Sequence, residues 1–148
     1  MTRAKTLEYL CGLANMREQD LRRSLQSQQH LLAQLRQKFA VLEGYLQQYG
    51  GEFQQRQTES MSGSELLQWR GFLGQLADVL AQQRMLIAEQ QERLTALEAE
   101  WRSVRAQEQG LQRMQQRLFD EQKVLLMRRL QKDLDDWALR AARWGQSK

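Results

Sequence analysis

Ser60-Met61-Ser62-Gly63-Ser64-Glu65 is the stretch on which the fold turns, because it concentrates small and turn-forming residues as no other part of the 148-residue chain does. Ser62 and Glu65 fit the S-x-x-E capping box, in which the serine oxygen and the glutamate each satisfy a free backbone N–H at a helix start. A helix should therefore open near Gly63. Upstream, Gly50-Gly51 adds a second weak point, so two helical runs converge on a turn within about 51–63.

Before the turn, apolar or neutral residues recur at Leu7, Leu10, Ala14, Leu21, Leu25, Leu32, Leu35, Phe39, Leu42, Leu46, Tyr49 and Phe53. Alternating steps of three and four define one helix face. Two successive four-residue steps through Arg17, Leu21 and Leu25 read as a stutter, which locally relaxes supercoiling. After the turn the run is Leu66, Trp69, Leu73, Leu76, Leu80, Ile87, Leu94, Leu97, Trp101, Val104 and Leu111, with Gln83, Gln90 and Glu108 at intervening seam positions. It slips near Met114 to Leu125 and resumes at Leu130, Leu134, Trp137, Ala141 and Trp144, which reads as one helix with a second stutter.

The fold class expected is all-α: two long helices forming an antiparallel coiled-coil hairpin, a single rod over 1–148 with helix 1 about 3–57, a turn about 58–63 and helix 2 about 64–143. Composition agrees. The chain has no proline, the strongest helix breaker because it lacks an N–H and clashes with the preceding turn. Mean hydropathy is −0.73, so apolar side chains can line a stripe but cannot fill a broad core. A hairpin brings the two chain ends together, Leu10 towards Trp137. An open helix pair that dimerises through each seam is the alternative.

Chemistry is sparse. One histidine and one cysteine cannot assemble a nucleophile, a base and an orienting group in a dry pocket, so no enzyme is expected, and no cofactor or metal. His30 reads as a solvated flank residue and Cys11 as a small, partly buried apolar one. There is no phosphate-binding loop and no dinucleotide fingerprint, which leaves any link to ATP to a partner. Apolar runs are far shorter than the ~20 residues that cross a bilayer; no direct membrane insertion is expected, and the protein should be soluble and cytoplasmic. The net charge of +4 permits nucleic-acid binding, but acids and bases interleave as on solvated coiled-coil flanks. Arg3 and Lys5 begin the chain, and Arg140, Arg143 and Lys148 end it without an acid after Asp136.

Helix 2 also carries surplus apolar surface. At 100° per residue Leu66, Phe72, Leu73, Leu76, Val79, Leu80, Leu86 and Ile87 cover an arc of roughly 160°, wider than a two-stranded seam buries. With Leu73 and Leu80 in the seam, Phe72, Val79 and Leu86 lie along one edge, a candidate docking stripe unless helix 1 rolls to cover it.

The order and spacing of Leu7, Glu8, Leu10, Leu13 and Ala14, then Leu42-x-x-Tyr45-x-x-x-Tyr49, Phe72-x-x-x-Leu76, Gln82-x-Arg84, Trp101-Arg102 and Gln131-Lys132-x-Leu134-Asp135-Asp136-Trp137-Ala138-x-Arg140-Ala141-Ala142 resembles the FliJ family of flagellar type III export proteins over nearly the whole chain. The resemblance implies a coiled coil similar to the central stalk of rotary ATPases. It implies three partners: a hexameric export ATPase whose ring it enters and activates, the cytoplasmic domain of the membrane export gate, and export substrate chaperones. The protein would then work at the cytoplasmic face of the inner membrane. Carried over by position, the gate contact falls on Phe72, Leu76, Val79 and Gln83, where Gln83 departs from the ring-bearing side chain of a relative. The ATPase contact falls on the basic end, with Trp137, Arg140 and Arg143. Injectisome stalk proteins share the architecture, and a generic structural or nucleic-acid-binding coiled coil remains the competing reading.

Overall fold

A computed structural model describes residues 2–146. Two helices account for nearly all of them: α1 over Arg3–Thr58 and α2 over Gly63–Gln146. They pack against each other as an antiparallel hairpin. Thr2 caps α1, its Oγ1 accepting from the Lys5 N–H at 3.3 Å. Between the helices Thr58 Oγ1 donates to the Gln55 carbonyl at 2.6 Å, and Ser60 takes a left-handed conformation with φ 73°. Ser62 Oγ then accepts from the Glu65 N–H at 3.2 Å while its carbonyl accepts from the Leu66 N–H at 3.0 Å. Glu65 in the first turn of α2 also complements the positive end of the helix dipole. Gly50-Gly51 does not take part in the turn. Both glycines are helical, because neighbouring seam residues on either side hold that stretch of α1 in place and the local ~1 kcal/mol glycine penalty is outweighed.

The inward face of α1 differs from the expected one in one respect. Its buried and half-buried positions run Ala4, Leu7, Cys11, Ala14, Glu18, Leu21, Leu25 and onward through Gln28, Leu32, Leu35, Phe39, Leu42, Leu46, Tyr49 and Phe53. These steps alternate three and four without interruption, so α1 contains no stutter. Leu10 is 41% exposed and Cys11 takes its seam position, while Glu18, at 2% exposure, stands where Arg17 was expected. Counting apolar residues finds Leu10 and passes over a carboxylate; packing follows the period.

The contacts divide the chain into two compact units, Gln19–Arg102 and the residues up to Glu18 together with those from Ser103 on. In the first, Leu25, Leu32 and Leu94 form the buried core, with Ile87, Leu97 and Trp101 packed against it. Aromatic pairs hold the register near the turn. The rings of Tyr49 and Phe72 meet edge-on at 5.3 Å, Phe53 and Trp69 lie 6.1 Å apart, and the Arg56 guanidinium sits 5.3 Å over the Trp69 ring. Gln90 fills its seam position by donating from Nε2 to Gln28 Oε1, so a polar residue is buried with its amide satisfied.

In the second unit Leu7 and Val104 are the buried apolar residues. Glu18 Oε1 lies 3.7 Å from Arg105 Nη1, an ion pair whose carboxylate is buried and whose guanidinium is half-exposed. α1 begins against the stretch of α2 that ends at Glu121: Arg3, Leu7, Met114, Arg117, Leu118 and Glu121 share one cleft. Beyond it α2 continues alone to Gln146, exposed at every position from 119. Arg3 and Gln146 therefore do not meet. Trp137 lies sixteen residues past Glu121, about 24 Å along the axis at 1.5 Å per residue, and no part of α1 lies opposite it. Helix 2 outruns helix 1 because the turn stands at residues 59–62 of 148, leaving unequal arms.

Two candidate docking surfaces on α2

The first surface belongs to the unit Gln19–Arg102. The α2 backbone places Phe72, Leu76, Val79 and Gln83 along one line, each three or four residues from the next, so they share a helix face. Phe72 is 44% and Val79 40% exposed; Leu76 and Gln83 are half-buried. Leu86, one turn further, is exposed as well. α1 thus covers Leu73 and Leu80 and leaves this edge open. Phe72 is steadied by the Tyr49 ring and forms with Tyr49, Gln68 and Trp69 a shallow cleft. Gln83 stands in the wall of an open groove with Gln34, Gln37, Lys38, Val41 and Leu42. Its Oε1 is shielded from solvent and has no hydrogen-bond partner, a cost of roughly 1–3 kcal/mol for a buried acceptor.

The second surface is the lone end of α2. Trp137 is 68% exposed, and Arg140 and Arg143 are solvent-facing on the same helix. Arg143, in the last turn, is favourably placed against the negative end of the helix dipole. Trp137 and Trp144 do not pack in the hairpin seam, whereas Trp69 and Trp101, the two tryptophans that α1 reaches, are half-buried. Nor do the cations form one tip. Arg3 shares its cleft with Arg117, and Arg140 lies nineteen residues beyond Glu121, about 28 Å along the helix. Lys148, the last of the expected basic residues, lies outside the described residues.

The remaining reactive side chains are scattered. His30 is exposed, its Nε2 3.2 Å from Gln34 Nε2, and Cys11 is a half-buried free thiol. Among the described residues no three of His, Cys, Asp and Glu converge as a metal site would require, and no helix is long and apolar enough to cross a membrane. The pair Glu18–Arg105 is the feature that residue counting missed. The signal for it was available: Glu18 stands four residues after Ala14 and three before Leu21, the seam spacing that Arg17 breaks.

A hairpin of two long helices, the second extending past the first and carrying an exposed apolar edge, is an all-helical protein of the coiled-coil type. The family model of the flagellar FliJ protein matches residues 3–147, and the chain belongs to that family. No curated protein and no solved structure matches it.

Proposed function

We propose that this protein is a central-stalk-like activator of the hexameric flagellar export ATPase, without a catalytic group of its own, and that it links the ATPase to the export gate and to substrate chaperones at the cytoplasmic face of the inner membrane. The observation that carries this reading is the lone end of α2. A helix about 10–12 Å across with its side chains, extending past its partner with Trp137, Arg140 and Arg143 exposed, has the shape and charge to enter a ring lined by carboxylates. Screening over ~8 Å at physiological salt leaves most of the affinity to packing. The Phe72, Leu76, Val79 and Gln83 edge is then the gate contact, on a separate part of the same helix.

Stimulation of ATP hydrolysis by the purified export ATPase tests the first contact. Arg140→Glu with Arg143→Glu should abolish stimulation while circular dichroism keeps its helical signal; unchanged stimulation would remove the basic end from the mechanism. For the second, Phe72→Ala with Val79→Ala should sharply weaken binding to the gate's cytoplasmic domain at little cost in melting temperature. A large loss of stability with binding retained would make that edge part of the core.

A further inference from the structure

We propose that the lone end of α2 is a homodimerisation element, pairing antiparallel with the same segment of a second copy of this chain. Past Leu118 the hairpin heptad runs through Gln122, Leu125, Arg129, Lys132 and Asp136, four polar positions of five, which is no seam. A new heptad replaces it: Met127, Leu130, Leu134, Trp137, Ala141 and Trp144, spaced three, four, three, four and three. This stripe is rotated ~90° around the helix from the line that Val104, Glu108 and Leu111 follow, so it is not a continuation of the surface that α1 covers. Leu130, Leu134 and Trp137 are 54%, 61% and 68% exposed.

Size and charge choose the occupant. With Met127, Leu134 and Ala141 at a and Leu130, Trp137 and Trp144 at d, an antiparallel pair about a two-fold axis sets each a against a d. Leu134 then meets Trp137 of the second copy, and Leu130 meets its Ala141, so large side chains face smaller ones. The flanking g positions include Asp133 and Arg140, which this register brings opposite each other twice, once in each direction. A parallel pair would stack Trp137 on Trp137 and would leave Asp133 facing Ala138, and Arg140 facing Gly145. In the antiparallel register Gln146 falls opposite Leu125, so the described overlap stops short of the cleft where α1 begins. Four tryptophans at roughly 150–250 Å² each, with the aliphatic residues between them, reach the ~1,000 Å² expected of a specific interface. Such a dimer covers Trp137 and Arg140 and so excludes any other partner from them, but it does not depend on the ring reading.

Sedimentation velocity of the full chain over a dilution series should show a monomer–dimer equilibrium. Leu134→Glu and Trp137→Glu should each leave monomer alone with helicity kept. Asp133→Arg or Arg140→Asp should each weaken the dimer about tenfold, by removing two attractive flank pairs and creating two repulsive ones. Combining the two swaps should restore it. A wild-type chain that is monomeric at every concentration, a dimer that survives Trp137→Glu, or a double swap no tighter than the single ones overturns the proposal. So does a chain that remains monomeric yet sediments with phosphatidylglycerol-containing vesicles, which would assign the stripe to a lipid surface. ATPase stimulation, measured in parallel, reports separately on the ring reading.

Discussion

α2 is two helices in energetic terms. From Leu66 to Leu118 its apolar stripe lies against α1, with Leu80, Leu94 and Val104 at 3–5% exposure. From 122 to 146 a stripe of the same spacing and similar side chains is solvent-exposed, Leu130, Leu134 and Trp137 at 54–68%. Composition does not separate the two stretches. What separates them is the reach of α1, which the position of the turn determines. A stripe with a partner stabilises the hairpin; the same stripe without one is available for binding. The largest test of that contrast is Leu32→Ala in the paired region. Leu32 is 5% exposed in the core with Leu25 and Leu94, and losing its side chain should cost about 2–5 kcal/mol in urea unfolding.

A smaller effect, with a distinctive sign, is expected at the buried ion pair. Arg105→Ala removes the Arg105 guanidinium from beside the Glu18 carboxylate, which is 2% exposed, and should destabilise by about 1–3 kcal/mol. Glu18→Leu removes the buried charge altogether, at a seam position shaped for a side chain of that length, and should be neutral or stabilising in the same assay. If both substitutions destabilise alike, Glu18 is held by contacts other than charge, and the carboxylate is not the costly element.

These cases show what could be read from residues alone. The hairpin was legible because period, turn chemistry and the absence of proline all pointed the same way, and Ser62 with Glu65 marked the start of α2 through a backbone N–H that needs an acceptor. The inward line of α1 was legible from Leu21 to Phe53, where apolarity and period coincide. It failed at Leu10, Arg17 and Glu18, where they diverge: the eye follows leucine, but a helix surface repeats by angle, and a carboxylate with a nearby guanidinium can occupy the inner face. The extension of α2 past α1 was hidden for a different reason. Trp137 and Trp144 keep a heptad spacing, and spacing says that a face is apolar without saying what lies against it. The exposed edge at Phe72 and Val79 was legible as surplus arc because a two-stranded seam has a limited width.

At the turn the comparison is between one residue and its own backbone. Ser60 has φ 73°, a left-handed conformation that costs a β-carbon-bearing residue roughly 1–2 kcal/mol and glycine nothing. It follows the end of α1 where helices most often place glycine. Ser60→Gly should therefore stabilise the hairpin by about 1 kcal/mol, offset in part by the greater freedom of glycine in the unfolded chain. A loss of stability would mean that the serine side chain is holding the turn.

The smallest expected effect is the most informative about the lone end of α2. Leu134→Ala removes a side chain of the same size as Leu32 from the same kind of heptad position, yet Leu134 is 61% exposed and α1 does not reach it. With no cavity to open, the change in unfolding free energy should stay within about 0.5 kcal/mol, as for other surface substitutions, with alanine's helix propensity compensating for the small loss of local contact. The measurement belongs at high dilution, where a dimer would dissociate and cannot add its own stability to the hairpin's. Raising the concentration then sharpens the contrast. A wild-type chain whose midpoint rises with concentration, beside a Leu134→Ala chain whose midpoint does not, locates the concentration-dependent stability in this stripe. A loss at high dilution as large as that of Leu32→Ala would instead show that the end of α2 packs within its own chain, and the division of α2 into a paired and an unpaired part would fall.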